Sequence, residues 1–479
     1  NKSRREANVE VLYKQNQDSL YLENSIKASI NWNESAATTM LNGSSIRQDV
    51  QPRKRGLNDN FNLIKKLGNG RSFNLNAMVD YRYLPGRLLT VSDSIPQKLN
   101  VKTLNAKVST GFRHRLLGMY ISYDAQLGYK NDDIELVNGE PQKVNYREVE
   151  MKVTPRVSFE KYGIRSSLSV PCYLAFFHLA GNEDYKFFVN PYFFIGYKLS
   201  GTWDTNFYYN HQYTCFGISN NVPMTYFVDY TTRIKGSGKL DFTSLDSYNG
   251  KLEYSNPNIG LFFNLSGSYV KTNDVPMPTY DYRDNVYTMQ SLDLKSRNEQ
   301  MRGSAEISKA FGYGKTTFTL GGDVIQNNYS TWISEKENHC HLQFYSAHFK
   351  FAFMPSTVFS LEEYSAFNSM KSKNTTNPEL TTKATNSFNH KLTMFFMPGN
   401  WQFSWAHELY HSNDKSVNTA YFSDFKVTWT QKKYELSLGV NNIFGTTKYE
   451  RMTISTDYMQ YSYNRLRPRE VMAKVSFSL

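Results

Sequence analysis

Between Phe73 and Tyr83 the chain alternates. Phe73, Leu75, Ala77, Val79, Tyr81 and Tyr83 hold one parity, and Asn74, Asn76, Met78, Asp80 and Arg82 hold the other. Successive side chains of a strand leave on opposite faces, so a strand here has one apolar and one polar face. The pattern returns in Met119, Ile121, Tyr123, Ala125, Leu127 and Tyr129 against Ser122, Asp124, Gln126, Gly128 and Lys130. It recurs in Leu104, Ala106, Val108 and Phe112 against Asn105, Lys107, Ser109 and Arg113, and in Tyr434, Leu436, Leu438 and Val440 against Glu435, Ser437, Gly439 and Asn441. Such runs reach about 10 residues, the length of a tilted strand crossing a hydrocarbon layer, whereas strands of soluble proteins are more often about 5–6 residues long.

Turns supply a second rhythm. Short Gly- or Pro-bearing turns are predicted at Gly68-Asn69-Gly70, Leu116-Leu117-Gly118, Lys161-Tyr162-Gly163, Ser200-Gly201, Asn256-Pro257-Asn258, Gly312-Tyr313-Gly314, Met354-Pro355-Ser356 and Pro398-Gly399-Asn400. Gly70, Gly118, Gly163 and Gly201 fall 48, 45 and 38 residues apart. Each interval holds two long strands and one long polar loop, such as Pro85–Leu99, Asn131–Val144, Lys271–Asn285 or Lys371–Lys383. Short turns at one end and long loops at the other are the wiring of an outer-membrane barrel, with the short side periplasmic. The count comes to about 20 strands, too many for a barrel filled by its own side chains. The stretch Thr232–Lys251 fits either a loop hairpin or two wall strands.

Composition turns this pattern into a membrane reading. Of 479 residues, 35 are Tyr and 32 Phe, yet hydrophobic residues are only 40% and the mean hydropathy is −0.57. Aromatics on a polar background suit a wall that is apolar on one face and girdled at both interfaces. No segment supplies the roughly 18–20 apolar residues of a membrane helix. The longest apolar run, Leu168–Gly181, is interrupted by Ser169, Pro171 and His178. A chain without such a helix enters a bilayer only as a closed barrel. The fold class read here is therefore all-β, a large antiparallel transmembrane barrel. No composition break divides it, so residues 1–479 are taken as one barrel domain. No apolar stretch follows Asn1-Lys-Ser-Arg-Arg, as a secretory signal would require, and the chain is expected to be a mature product or a fragment.

The net charge of +12 fits solvated loops or contact with outer-membrane lipid and lipopolysaccharide phosphates. Nucleic acid is not an expected partner. The charges are scattered, the densest cluster is Arg53-Lys54-Arg55, and no recognition helix can be drawn. Cys172, Cys215 and Cys340 are too widely spaced for a CxxC metal site and odd in number for a disulfide framework.

Three stretches imitate chemistry. His407-Glu-Leu-Tyr-His411 matches the zinc-protease pattern, which works on a helix. Here Trp401, Phe403, Trp405, His407, Leu409 and His411 alternate with polar residues, and on a strand residues i and i+4 lie about 13 Å apart. That is too far for two ligands about 2 Å from one zinc, and Glu408 points the other way. His339-Cys340-His341 lacks further ligands and reads as a loop-rim patch. Gly314-Lys315-Thr316 echoes a phosphate loop, but Lys309 stands where a glycine is needed and a strand follows. Gly236-Ser-Gly238-Lys239 fails in the same way. No catalytic, metal or cofactor site is expected, and the chain reads as a non-enzyme. The polar parity is the candidate functional surface: Asp80, Arg82, Lys107, Arg113, Asp124, Lys426 and Glu435 are expected to face the lumen, where they solvate it, hold a plug or touch a passing solute.

Leu436-Ser-Leu-Gly-Val-Asn441-Asn-Ile-Phe444 resembles a strand motif near the end of TonB-dependent outer-membrane receptors. Leu466-Arg467-Pro468-Arg469, with Val471, Ala473, Val475, Phe477 and Leu479, resembles their final strand. Arg4-Arg-Glu-Ala-Asn8 and Leu20-Tyr-Leu-Glu-Asn24 resemble barrel segments of the subgroup with a carboxypeptidase-regulatory-like domain ahead of the plug. The last residue is Leu479 where the family usually has Phe, and neither a TonB box nor a plug is visible. The resemblance implies a plugged barrel of about 20–22 strands in the outer membrane of a Gram-negative bacterium. It implies active import of a scarce or bulky solute, with the plug, the first strands and the TonB contact placed before Asn1. Two alternatives remain: a non-transporting barrel that scaffolds a membrane assembly or surface lipoprotein, and a passive porin.

Overall fold

The computed structural model describes residues 2–41, 44–50, 53–90, 96–138, 140–215, 221–228, 232–283, 286–312, 314–333, 335–415, 417–454 and 459–477. These form 28 strands and one 3-10 turn, Pro378–Leu380, with 26 strands in one sheet. Two wall strands are each broken once: Ile164–Ser169 continues as Cys172–Leu179, and Asn182–Val189 as Tyr192–Lys198. Five short strands belong to the connections: Ser44–Val50, Thr225–Phe227, Thr232–Lys235, Lys448–Ile454 and Met459–Arg465. With broken strands taken whole and short ones set aside, the described wall has 21 strands. The wall pairs antiparallel in chain order, from Lys2–Asn16 on Leu20–Leu41 to Tyr434–Asn441 on Glu470–Phe477.

All eight expected turns lie between strands, with Tyr313 outside the described residues. Leu117-Gly118 (φ 51° and 81°) and Tyr162-Gly163 (φ 55° and 78°) have both central residues left-handed. That twist matches the strands a two-residue hairpin joins. Two further turns at the same end carry no glycine or proline, at Gln17–Ser19 and at Lys432-Lys433, where Lys432 takes φ 42°.

At the other end three of the expected loops are strands. Leu89 still pairs with Pro96, Asn138 with Glu140 and Arg283 with Val286, so Pro85–Leu99, Asn131–Val144 and Lys271–Asn285 are tall hairpins. Beyond the hydrocarbon no lipid lies on the outer face, and part of the inner face, at Leu99, Ile134, Leu136 and Val144, is covered by chain. Alternation fades there, while the ladder still satisfies every N–H and C=O. Lys371–Lys383 is a strand only to Asn374 and then a true loop. Thr232–Lys251 divides: Thr232–Lys235 stays in a connection, and Phe242–Asn256 is wall.

The two faces differ as the alternation predicts. Val79, Tyr81, Val108, Leu127, Met151, Val153, Leu320 and Leu438 are 40–59% exposed, which is the lipid-facing set. Asp80, Asp132, Thr154 and Ser169 on the other face are buried. Both end strands run toward the short-turn end, and each has one partner among the described residues. Val9, Val11, Val471 and Phe477 on them are 60–69% exposed.

A line of prolines crosses three adjacent strands. Val170 N–H donates to Pro155 O (3.0 Å), Asn190 N–H to Pro171 O (2.9 Å) and His211 N–H to Pro191 O (2.9 Å). Proline accepts but cannot donate to a ladder. Above this line, among the described residues, Asn182–Val189 pairs only with Cys172–Leu179 and has no ladder to Trp203–Cys215. The side chain of Asn190 bridges the gap instead, receiving Tyr213 N–H at 2.8 Å and donating to Tyr213 O at 3.4 Å.

The apolar core sits at this split. Trp203–Cys215 keeps its register throughout, so Tyr213 and Cys215 share a face with the outward-facing Phe207, 39% exposed. Yet Tyr213, Cys215 and Phe242 pack on Tyr146, Ala175, Phe177 and Leu179, which face inward from neighbouring strands. The tops of Trp203–Cys215 and Phe242–Asn256 therefore pass behind the hairpin Cys172–Val189, making a local two-layer sandwich. Its centre is the edge-on pair Phe177–Phe242 at 5.1 Å.

Candidate functional site

The connection from Cys215 to Phe242 does not stand out from the rim. Its described parts, 221–228 and 232–241, lie along the inner face as a strap. At one end Gln97 clamps the backbone of Phe227, donating from Nε2 to its carbonyl (2.8 Å) and accepting its N–H on Oε1 (2.7 Å). Val222 and Met224 are buried against Leu136, with Leu99, Ile134 and Val144 around them. At the other end Thr232–Lys235 adds in parallel to Tyr287–Gln290, and the Arg233 guanidinium donates twice to Thr288 Oγ1 (3.1 and 2.9 Å). The parallel track continues as two reciprocal ion pairs, Lys239 with Asp293 and Asp241 with Lys295. The strap thus spans from the fifth to the thirteenth strand of the wall, on the lumen side. Gly238 makes the bend: its φ is 74°, and a Cβ there would lie 3.1 Å from Pro223 Cβ.

Lys239 and Asp293 lie beyond the bilayer-crossing stretch. The Lys239 ammonium, as hydrogen-bond donor, holds the Asp293 carboxyl below its ordinary value of 3.8. Asp293 in turn raises Lys239 above 10.5.

Beneath the strap lies a cavity of about 480 Å³. Val222, Met224 and Tyr226 of the strap line it, with Asp80, Arg82, Leu99, Val101, Thr103, Asn105, Lys130, Asp132 and Ile134 of the wall. Asp80 and Asp132 are 7% and 5% exposed. Arg82 Nε meets Asp80 at 2.7 Å. Asp132 accepts from Thr103 Oγ1 at 2.6 Å and pairs with Lys130 at 3.3 Å. A smaller neighbouring cavity of about 260 Å³ is lined by Lys107, Lys130, Glu148 and Glu150 among others.

Of the seven residues on the polar parity, the structure brings Asp80 and Arg82 into the cavity and Lys107 beside it. Arg113 lies with its guanidinium 4.1 Å from the Tyr120 ring centre. Asp124 sits over Gly111, where a Cβ would come within 2.2 Å of its carboxylate. Lys426 lies opposite Gly439 and Glu435 opposite Thr430, far along the wall from the strap. Sequence reasoning left Lys130, Asp132, Val222 and Met224 unselected. Lys130 stood in the polar parity of its own run, and nothing local marked the other three.

His407 and His411 lie on strand Trp401–Ser412, and the His407 ring lies tilted beside Trp405 and edge-on to Phe444. Glu408 is on the opposite face with Lys391 and Tyr410. His339-Cys340-His341 belongs to strand Lys336–Phe353 rather than to a loop rim. Its histidines bond Ser330 and Asn328, and Cys340 is buried on the other face. No group of three metal-ligating side chains occurs among the described residues. Gly236-Ser-Gly238-Lys239 is the bend of the strap, and Gly314-Lys315 is a turn.

The C-terminal motif folds as one unit. Arg469 Nε donates to Ile443 O (2.9 Å), Arg467 pairs with Glu470 (3.5 Å), Asn441 lies 3.9 Å from Met472 Sδ, and Phe477 packs edge-on against Tyr434. Phe444 is 60% exposed, Pro468 stands just before the last strand, and Leu479 lies outside the described residues. Asn442, not singled out by sequence, ties the unit together. With φ 52° it donates to Thr446 O (2.8 Å) and Arg467 O (3.0 Å).

No sequence-family model and no curated protein sequence matches the chain. Solved structures do. The copper transporter OprC superposes with a TM-score of 0.58 at 10% identity, over 100% of this chain and 72% of that one. The pyoverdine outer membrane receptor FpvA from Pseudomonas aeruginosa PAO1 gives 0.52 at 11% identity, over 99% and 74%. The ferripyoverdine receptor of the outer membrane of Pseudomonas aeruginosa gives 0.51 at 11%, over 99% and 70%. The chain has the fold of these TonB-dependent receptor barrels.

Proposed function

We propose that this chain is the wall of an energised outer-membrane importer. The observation that carries the reading is the pairing of a 21-strand wall, too wide to be filled by its own side chains, with a strap that lines its inner face at the long-hairpin end. A lumen so wide needs a plug. A mouth so narrowed admits a bound solute rather than a free stream. The two end strands both run toward the short-turn end, so antiparallel closure takes one further strand running outward. We assign that strand, the plug and the TonB contact to a segment upstream of Asn1. On this reading Asp80, Arg82 and Lys107 meet the solute near the strap, and Arg113, Asp124, Lys426 and Glu435 line the wet interior against the plug. Part of the net charge of +12 is assigned to contact with lipopolysaccharide phosphates.

The test is uptake by cells carrying the full-length protein. Import that saturates at low solute concentration and stops when the proton gradient is collapsed supports the reading. Gradient-independent flux that does not saturate overturns it in favour of a pore. Stoichiometric co-purification with a surface lipoprotein, with no uptake at all, overturns it in favour of a scaffold.

A further inference from the structure

The cavity beneath the strap has a built interior that the importer reading does not require. Its roof, formed by Val222, Met224 and Tyr226, is largely apolar, and its floor sets Asp80, Arg82, Lys130 and Asp132 beside the aliphatic Leu99, Val101 and Ile134. The two carboxylates of the floor are already answered, Asp80 by Arg82 and Asp132 by Lys130 and Thr103. The two cations are not used up. A guanidinium has five N–H donors and an ammonium three, and Arg82 spends Nε on Asp80 while Lys130 spends one contact on Asp132. Asn105, on the same wall, has a buried Oδ1 with no donor among the described residues, and a buried acceptor left alone is costly. The volume of about 480 Å³ is that of a small-molecule site.

We propose that this cavity binds a small organic acid with an apolar body and an adjacent N–H or O–H donor. An apolar N-acylated amino acid is the simplest such molecule. The carboxylate takes the spare donors of Arg82 and Lys130, the N–H satisfies Asn105, and the apolar group fills the space under Val222 and Met224. A free amine finds both carboxylates occupied, and a bare sugar leaves the apolar roof dry and unmatched. The proposal names the solute class of the importer and rests on that reading for its place in transport.

Titration calorimetry on the full-length protein in detergent tests it with three probes: N-acetylphenylalanine, its neutral carboxamide and N-acetylglycine. The acid is expected to bind at least tenfold more tightly than either of the others. Arg82→Gln and Lys130→Gln are each expected to weaken the acid about fivefold to tenfold and to leave the carboxamide unchanged. Asn105→Leu is expected to weaken both. Lys433→Gln, at a short turn on the far end, serves as the unchanged control. Heat-modifiable migration in a detergent gel confirms that each variant is folded. Equal affinity for acid and carboxamide overturns the proposal. So does an acid affinity unmoved in the folded Arg82→Gln/Lys130→Gln double variant, and so does absence of binding by all three probes at millimolar concentration. The titration needs no proton gradient. A failed titration beside gradient-dependent uptake sinks the site alone, and binding beside gradient-independent uptake sinks the importer alone.

Discussion

The lower wall and the strapped mouth are made from the same strands but are inside out relative to one another. In the lower wall the outward face is apolar, with Leu127 and Val153 59% and 54% exposed, and the inward face is polar. At the mouth Ala175 and Leu179, at 0%, and Tyr146, at 2%, face inward and are covered by a second layer. One is held by the bilayer and the other by the chain folding on itself. The hydrophobic effect drives both, but only the second behaves like the core of a soluble domain.

That difference is open to attack from either side. Phe177→Ala removes the centre of the dry layer and is expected to cost about 3–5 kcal/mol of local stability. The strap should become sensitive to chymotrypsin while the barrel keeps its compact gel migration; simultaneous loss of both would show that the two regions are one cooperative unit. Leu127→Arg, on the lipid face, is expected to cost about 2–4 kcal/mol in denaturant unfolding from lipid vesicles. The neighbouring inward Gln126→Arg should stay within about 0.5 kcal/mol, and equal costs would refute the assignment of faces. Gln97→Ala breaks both bonds to Phe227 and leaves a half-buried backbone pair partly unsatisfied, for about 1 kcal/mol. It should loosen the strap at that end alone, read by proteolysis after Tyr226 or Phe227.

The smallest effect is electrostatic. The Asp293 carboxyl is depressed by Lys239, so its contribution is present above the ordinary value of 3.8 and is lost as pH falls through the lower, folded value. Lys239 is raised, so its share is present below 10.5 and is lost only as pH climbs past the raised value. Strap proteolysis by an acid-active protease should rise modestly as pH falls below about 4. Asp293→Asn should abolish that rise, and an unchanged rise in that variant would remove the pair from the account.

The fold was legible wherever two environments flanked one strand. Phe73–Tyr83 and Met119–Lys130 alternate because lipid lies on one side and water on the other. Turns were legible where glycine supplied the left-handed residue, and Lys432 escaped because it adopts φ 42° without one. The seam was written in a form that pattern reading passes over. Leu168–Gly181 is apolar on both parities because its inward face is covered by the tops of Trp203–Cys215 and Phe242–Asn256, and that run, dismissed as a helix candidate, was the available signal. Pro155, Pro171 and Pro191 were each visible, but their adjacency is a property of register. Of the cavity, Asp80 and Arg82 followed from parity. Val222 and Met224 did not, since a strap held by a four-residue parallel pairing has no period to detect.

The proline line divides labour within the wall. A proline carbonyl can take a rung but its nitrogen cannot give one, so the ladder at Pro155, Pro171 and Pro191 is a seam already unstitched on one side. The hairpin above it keeps its ladder to Glu140–Lys161 and, among the described residues, has no rungs to Trp203–Cys215, so a hinge about that one ladder breaks no backbone bond on the other side and transmits little pull to the hoop below. The hoop can keep the bilayer sealed at constant girth while the rim above it changes shape around whatever it holds.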